Sequence, residues 1–247
     1  MKNLITAKIL VIGNEILSGR TQDLNVAYLA TELTKLGISL TEVRMIPDIE
    51  KEIIDNVNEL RNEATYIFTT GGIGPTHDDI TSSSIAKAFG VELIKHPEAV
   101  KLLESHYVNE DLNEARLRMA HVPEGAILLE NPISKAPGFC IENVYVLPGV
   151  PKIMQAMFQV FKDNLIKGEV IHSRSITILV REGEIATKFA ELQAKWPNVD
   201  MGSYPFSRDS IWGTELVLRS ACIKELEQSY DELKNMLTGL NIKIDNL

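Results

Sequence analysis

The chain has 247 residues, of which 45% are hydrophobic and 24% charged, and its formal net charge is −9. A chain of this length can bury roughly 70–75% of its unfolded surface, so it needs no cross-links to form a core. The acidic balance argues against binding to nucleic acid, because no excess of basic residues is available to contact phosphates. The two cysteines, Cys140 and Cys222, are far apart and predict neither a disulfide nor a cysteine zinc site. No apolar run approaches the ~20 residues of a membrane span, so we expect no membrane partner and a cytoplasmic location.

Strands and helices alternate along the first half of the chain. Short apolar runs predict strands over residues 7–13, 38–46 and 65–70. Helical periodicity predicts helices over residues 24–36, with Asp23 as a cap, 49–60 and 80–89. Further helices are predicted over residues 96–107, 113–120 and 149–165, and short strands over 126–131, 138–143 and 144–149. This order is typical of a mostly parallel sheet covered by helices on both faces, a three-layer α/β/α fold.

The pattern changes after Lys167-Gly168. From there the predicted order is strand, helix, strand, strand, helix, strand, the split pattern of a small α+β sandwich. We therefore predict two domains: residues 1–168 form the three-layer domain, and residues 169–247 form a small βαββαβ subdomain.

Ligands of open parallel sheets bind beyond the carboxyl ends of the strands. Four predicted loops lie at this edge of the sheet, which we call the ligand rim. They span residues 13–25, 47–48, 71–79 and 148–151. The first three loops carry the carboxylates Glu15, Asp48, Asp78 and Asp79 and the amide of Asn25. Of the five histidines, we expect only His77 at this rim.

The stretch TTGGIGPTHDDIT, residues 69–81, is the most distinctive part of the rim. Gly71, Gly72 and Gly74 allow backbone N–H groups to approach an anion, at the start of the next helix. Glycines also serve a tight turn for geometric reasons alone, and the residues by themselves leave both interpretations open. The loop lacks the Gly-Lys-Ser/Thr of a P-loop, and it does not follow the first strand as a dinucleotide fingerprint does.

The paired acids after the glycines also have two interpretations. Asp78 or Asp79 can be the N-cap of the following helix, which requires no function. Adjacent carboxylates beside a phosphate cradle also suit Mg²⁺, which binds through one or two carboxylates plus substrate phosphates. Asp48 by itself predicts another N-cap, and the hydroxyl of Thr81 could reach a phosphate.

The same stretch resembles the TGG-x-G-(P/F)-T-x-x-D-x-T signature of the MoaB/MogA molybdopterin-binding fold. It is more similar to the TGG-(L/I)-GPT-x-DD-x-T form of the CinA N-terminal domain family. IGNEILSGRTQDLN, PDIEKEI, NEARLRMAHVPEGAILLEN, PISKAPGF, YVLPGVP and MGSYP resemble further elements of that family. The resemblance covers essentially the whole chain, and it extends to the N-terminal domain of eukaryotic FAD synthase.

The resemblance implies functional roles for particular residues. Asp79 and Asp48 match the functional acids of the MoaB/MogA relatives, so we assign them as catalytic. Divalent-metal-dependent hydrolysis of ADP-ribose, associated with CinA-type domains, implies Mg²⁺, Mn²⁺ or Co²⁺ held by Asp78, Asp79 and Glu15. The residues assigned to binding a small phosphorylated nucleotide or pterin are Gly71, Gly72, Gly74, Thr76, Thr81, Asn25 and Gly149. Because relatives form dimers and trimers, we expect a homo-oligomer, with a dimer favoured.

The chain departs from the CinA pattern at several places. The nicotinamide-mononucleotide deamidase domain that follows in CinA has no match, so we expect no deamidase activity. Ile153 stands where CinA usually has a glutamate and is more similar to the FAD-synthase-type domain. Ser134-Lys135 stands where Gly-Thr is common, and Asn14 where some relatives carry acids. Lys135 could add a positive charge for a phosphate or simply lie on the surface.

These observations lead to one functional hypothesis and two alternatives. We expect a metal-dependent nucleotide pyrophosphatase that hydrolyses ADP-ribose-like or FAD-like dinucleotides to AMP and a phosphorylated product. The first alternative is a molybdopterin-binding or adenylyl-transferring protein of molybdenum cofactor biosynthesis. The second is a non-catalytic nucleotide-binding domain.

Overall fold

The computed structural model describes residues 4–107, 112–208 and 211–245. The chain divides into two compact units, with the boundary between Gly168 and Glu169. In these ranges, no helix has both the length and the apolar content needed to cross a bilayer.

The first unit is built on a sheet of six strands among the described residues. The strands are β1 (Thr6–Ile12), β2 (Ser39–Ile46), β3 (Tyr66–Thr70), β6 (Ile127–Leu129), β7 (Gly138–Ile141) and β8 (Val144–Leu147). Their order is β2-β1-β3-β8-β7-β6. The pairs β1–β2, β1–β3 and β3–β8 are parallel, whereas β7 is antiparallel to both neighbours. The sheet is therefore mostly parallel, as predicted.

Helices cover both faces of this sheet. They are α1 (Asn14–Leu17), α2 (Asn25–Lys35), α3 (Glu50–Leu60), α4 (Thr81–Phe89), α5 (Pro97–His106), α6 (Glu114–Leu117) and α7 (Pro151–Phe161). The N-cap position of α2 falls on Leu24 and not on the predicted Asp23, although Asp23 Oδ1 accepts the Val26 N–H of the first turn at 2.8 Å.

Strand β1 shows how the two faces form. Ile9 and Val11 pack into the core cluster that contains α2 and α7, whereas Leu10 and Ile12 pack into the cluster that contains α3 and α4. Successive strand side chains point to opposite faces, so an entirely apolar run places a hydrophobic surface on each side. The result is the predicted α/β/α arrangement.

Two short strands were missed, and two helices were predicted too long. β4 (Leu93–Lys95) and β5 (His121–Pro123) pair as a separate antiparallel sheet. Three-residue strands are too short for a periodic signal. The helix predicted over residues 113–120 is α6 followed by a 3-10 turn, Arg118–Ala120. Similarly, α7 ends at Phe161 and gives way to a 3-10 turn, Lys162–Asn164.

The second unit has the predicted βαββαβ order. Its elements are β9 (His172–Ile178), α8 (Glu182–Lys195), β10 (Asp200–Arg208), β11 (Ile211–Ser220), α9 (Ile223–Gly239) and β12 (Ile244–Asp245). The strands form one antiparallel sheet in the order β10-β11-β9-β12. Leu192, Leu216 and Leu233 belong to its separate hydrophobic core.

A buried carboxylate ties α2 to the end of α7. Glu32 is only 8% exposed. Its carboxylate accepts hydrogen bonds from Lys35 at 2.6 Å and from Gln159 and Lys162 at 3.0 Å each. These donors, Lys35 foremost, lower the pKa of Glu32 from 4.5 to about 2. The native state therefore stabilises the ionised form of this side chain.

We expect Glu32→Gln to lower the free energy of unfolding by about 1–3 kcal/mol at neutral pH, because it removes the buried charge that pairs with the partly buried Lys162 and the exposed Lys35. The folded-state pKa is depressed, so the stabilisation is complete above the ordinary pKa of 4.5 and is lost as pH falls toward about 2. Denaturant unfolding at several pH values from 7 downward measures the difference between variant and wild type.

The matched control is Asp55→Asn, which removes an exposed carboxylate paired with Lys51. We expect this variant to change stability by no more than about 0.5 kcal/mol. A Glu32→Gln effect that stays constant below pH 4.5 would contradict the assignment.

Candidate functional site

Four loops meet at the carboxyl ends of β1, β2, β3 and β8. The Gly13 N–H donates to the Ile46 carbonyl at 3.1 Å, which joins the ends of β1 and β2. The Asn25 Nδ2 donates to the Gly149 carbonyl at 2.8 Å, which joins the start of α2 to the loop after β8. The loops that the sequence placed at the ligand rim are therefore neighbours in space.

Gly71 lies where three of these backbone segments come closest. Its φ is +102°, and a Cβ atom there would lie 2.1 Å from the Ile12 carbonyl oxygen. Its N–H donates to the Leu147 carbonyl at 3.0 Å. That amide is already paired, so Gly71 does not supply the anion-binding N–H predicted for it. Its role is to allow close packing of the backbones.

The remaining amides of the glycine loop are the available donors. Among the described residues, the N–H groups of Gly72, Ile73 and Gly74 have no hydrogen-bond acceptor. Successive free N–H groups in a loop form a concave site for anions. The free donors of the glycine loop therefore begin one residue after its first glycine.

Four buried polar atoms at the rim also have no partner within the described residues. They are Oδ1 of Asn25 and the Oγ1 atoms of Thr69, Thr70 and Thr81. Buried polar atoms are nearly always hydrogen-bonded, and exceptions concentrate where a ligand or water completes the site. A polar ligand at the rim fits this set, and Asn25 and Thr81 were predicted for it.

Asp79 is held by its own loop and does not cap the helix. Its Oδ2 accepts the Thr76 N–H at 2.8 Å and the Thr76 hydroxyl at 2.5 Å. The predicted capping role is wrong: α4 begins at Thr81, so the N-cap position falls on Ile80, which has no side-chain acceptor. Thr76, predicted as a ligand-binding residue, donates both groups to Asp79 and thereby positions it. The other carboxylate oxygen, Oδ1, has no partner among the described residues.

Gly74 provides the space for this carboxylate. A Cβ atom on Gly74 would lie 2.7 Å from Asp79 Oδ2. Gly13 has the same relation to Glu15, whose Oε1 would be 2.7 Å from a Cβ there. Two of the rim carboxylates therefore lie over glycines.

Asp48 is held in the same manner as Asp79. Its Oδ2 accepts the Asn14 N–H at 2.8 Å. Asp48 is not the N-cap of α3, because that helix begins at Glu50 and its N-cap position is Ile49. Oδ1 of Asp48 has no partner among the described residues. Both acids at the ends of β2 and β3 are thus fixed through one oxygen and keep the other available.

Asp78 and Glu15 are exposed, in contrast to these two acids. The Thr76 hydroxyl and the backbone N–H of Asp78 itself hold the pKa of Asp78 below its ordinary value. No group of three or more His, Cys, Asp or Glu side chains in the described ranges is arranged to hold a metal ion. Glu15, Asp78 and Asp79 are therefore not gathered into a metal cage.

Asp79 also lines a cavity of about 240 Å³. Its polar lining is Gly74, Asp79, Ser82, Ser83, Arg118 and His121. The sequence did not predict Arg118 or His121 for this cavity. His121 reaches the cavity through the pairing of β5 with β4, which places it opposite Lys95. Both residues lie in the segment NEARLRMAHVP, and its resemblance to a family element was the sequence signal that could have identified them.

The departures from the CinA pattern have structural roles. Ile153 lies in the first turn of α7 and packs, partly buried, against the core. Lys135 has a φ of +57° and pairs with Glu130 at 3.6 Å. Its loop joins β6 to β7, and the register of β7 against β8 places that loop at the same edge of the sheet as the rim.

The packing at Gly71 can be tested by substitution. We expect Gly71→Ala to destabilise the protein by about 3 kcal/mol or more, because the added methyl group would meet a backbone carbonyl and the residue would keep a positive φ. Gly90→Ala is the matched control: its φ is +66°, but open space surrounds it, so we expect a loss of about 1 kcal/mol. Thermal unfolding of both variants measures the difference, and equal losses would contradict close packing as the cause.

Comparisons with known proteins agree with this architecture. Residues 8–168 match the family described as probable molybdopterin binding domain, and residues 170–245 match the middle domain of FAD synthase. A protein of Pyrobaculum calidifontis is 37% identical over 211 residues, which cover 81% of this chain and 80% of that protein. A Clostridium botulinum protein whose name describes it as competence-damage inducible is 36% identical over 159 residues, 62% of this chain and 39% of its own length.

A solved structure is also similar to this chain. The crystal structure of the protein CinA from Thermoplasma acidophilum, whose title gives its function as unknown, superposes with a TM-score of 0.62 and 32% identity. The match covers 66% of this chain and 99% of that one. The chain therefore belongs to the molybdopterin-binding domain family, in its CinA-like form, with a second unit of the FAD synthase middle-domain type.

Proposed function

We propose that the protein is a divalent-metal-dependent nucleotide pyrophosphatase that hydrolyses ADP-ribose-like or FAD-like dinucleotides to AMP and a phosphorylated product. The observation that carries the proposal is the pair Asp48 and Asp79. Each has one carboxylate oxygen bonded to a backbone N–H and the other without a partner among the described residues. They follow β2 and β3, which flank β1, at the same edge of the sheet as the unpaired amides of the glycine loop.

The donor set fits a magnesium-like ion that is shared with the substrate. Mg²⁺ binds through one or two carboxylates plus phosphate oxygens and water, and it does not require a cage of protein ligands. Asp79 and Asp48 each offer a free oxygen, and the exposed Asp78 and Glu15 can add charge. A bound divalent ion supplies positive charge to the phosphoryl oxygens during phosphate chemistry.

The glycine loop and the buried hydroxyls would bind the pyrophosphate. The free N–H groups of Gly72, Ile73 and Gly74 can donate to its oxygens. Thr81 keeps its hydroxyl buried beneath Gly72, where it has no partner in the described part of the chain. The match of the second unit to the FAD synthase middle domain supports a dinucleotide as the substrate class.

Asp48 would act as the base. Its fixed geometry leaves Oδ1 able to accept a proton from a water molecule as the water oxygen attacks the adenylyl phosphorus. The new P–O bond forms as the bond from that phosphorus to the bridging oxygen breaks. The bridging oxygen keeps the electron pair and leaves on the sugar phosphate or flavin phosphate. AMP carries the oxygen from water, and Asp48 holds the proton.

The molybdopterin alternative rests on the family description of residues 8–168. It requires the same cradle and acids but a different ligand. Tight binding of molybdopterin with consumption of ATP, and no AMP release from ADP-ribose or FAD, would favour it.

The first test is release of AMP from ADP-ribose and from FAD with Mg²⁺, Mn²⁺ or Co²⁺, together with Asp79→Asn. The substitution preserves an acceptor for Thr76 but removes the charge, so we expect the loop to stay folded and kcat/KM to fall by about 100-fold or more. Asp163→Asn, which changes an exposed carboxylate paired with Lys167, is the control and should be unaffected. Absence of AMP with every metal, or equal activity in Asp79→Asn, would refute the proposal.

The second test separates the role of Asp48 from ligand binding. We expect Asp48→Asn to lower kcat by about 10²- to 10⁴-fold with a much smaller change in KM, as for loss of a general base. The amide oxygen can still accept the Asn14 N–H, so the melting temperature should change little. A loss confined to KM would instead assign Asp48 to substrate binding.

A further inference from the structure

The cavity beside Asp79 collects positive charge and hydrogen-bond donors in a chain whose net charge is −9. Arg118 contributes a guanidinium group and His121 an imidazole. The apolar side chains of Ile73 and Leu93 complete the wall. None of these four side chains belongs to the acids and amides described at the rim.

Arg118 is available for a ligand. Its side chain is exposed, and no hydrogen bond, ion pair or ring contact of its guanidinium occurs within the described residues. The surrounding sequence contains several acids, and Arg116, two residues earlier, lies over the ring of Tyr107 at 4.4 Å. An unpaired arginine that lines a cavity offers a planar fork of donors that matches a phosphate group.

The orientation of His121 determines which of its nitrogens can face a ligand. Its Nδ1 lies 3.2 Å from the Leu117 carbonyl oxygen and 3.3 Å from that of Arg118. Two carbonyl acceptors require the proton on Nδ1, so Nε2 is the nitrogen left for the ligand. Nε2 can donate to a phosphate oxygen when the ring is protonated, or accept from the hydroxyl of a monoanionic phosphate.

The start of α4 supplies the remaining polar groups. Ser82 and Ser83 lie in the first turn of this nine-residue helix. The Ser83 hydroxyl donates to the Ile80 carbonyl at 2.9 Å and keeps its lone pairs, whereas Ser82 has no hydrogen-bond partner within the described ranges. The positive end of the helix dipole adds to the charge of Arg118 and to the donors of the cavity.

We propose that this cavity binds a phosphate monoester, with Arg118 and His121 as its principal contacts. In the hydrolysis described above, that monoester is the second product, the sugar phosphate or flavin phosphate that leaves as AMP forms. The assignment to the leaving group rests on the proposed function, whereas the phosphate site itself does not. Asp79, with Gly74 beneath it, forms the wall shared by the cavity and the glycine loop.

The arrangement divides the pyrophosphate between two sets of groups. The cradle and Asp48 act on the adenylyl phosphorus, and the bond from this phosphorus to the bridging oxygen breaks. The bridging oxygen retains the electron pair, which adds negative charge to the leaving phosphate. Arg118 neutralises that charge, as positively charged donors do in other phosphoryl transfers. The Asp79 carboxylate repels an anion in the cavity, which favours release of the product.

The experiment is a calorimetric titration with ribose 5-phosphate, and separately with inorganic phosphate, in the presence of a chelator and without hydrolysable substrate. We expect wild type to bind both, and Arg118→Gln and His121→Gln to bind at least about tenfold more weakly. Lys101→Gln removes one positive charge from an exposed side chain of α5 and should bind as wild type does. Thermal unfolding shows that each variant is folded.

Asp79→Asn distinguishes this proposal from the proposed function. We expect it to lower kcat/KM for AMP release by about 100-fold or more but to strengthen phosphate binding, because it removes a negative charge from the cavity wall. Arg118→Gln binding that equals wild type, or no heat of binding from either ligand to wild type, would overturn the phosphate site. Phosphate binding that depends on Arg118 in a protein that releases no AMP would support the site and overturn the proposed hydrolysis.

Discussion

The rim depends on how closely three backbone segments approach at Gly71. Its N–H is bonded to the end of β8, and its Cα faces the last carbonyl of β1 with no room for a side chain. Gly149 also packs against it, since a Cβ atom there would lie 3.4 Å from the Gly71 Cα, in ordinary van der Waals contact. This contact sets the distance between the loops after β1, β3 and β8.

The two acids most important for the proposed chemistry share one device. Asp48 and Asp79 each use one oxygen to accept a backbone N–H, from the first residue of α1 and from the glycine loop respectively. Orientation therefore comes from a hydrogen bond within the protein, and the second oxygen remains for a ligand or an ion. Neither acid caps the helix that follows it, because α3 and α4 begin beyond the acids, although the N–H that Asp48 accepts belongs to the first residue of α1.

Charge is distributed locally in a way that the overall composition hides. The chain is acidic, and the predicted rim is rich in carboxylates. The cavity beside Asp79 nevertheless contains Arg118 and His121, which enter it from a segment about forty residues further along the chain. A site for phosphate chemistry of this kind needs both signs of charge. Acids bind a metal ion and act as the base, and cations neutralise the leaving group.

The sequence by itself determined the order of strands and helices, the two-sided core and the glycine loop at the end of β3, because periodicity and turn residues act over a few neighbouring positions. It also identified the acids, and the family resemblance pointed to Asp48 and Asp79. Only the tertiary structure decided what each group contacts. The Asp48 bond to Asn14 spans 34 residues, and His121 reaches the cavity through a three-residue strand pairing. Such contacts depend on chain packing that leaves no local pattern, so the bonding of Asp48, the use of the Gly71 amide and the cavity of Arg118 were decided by the fold.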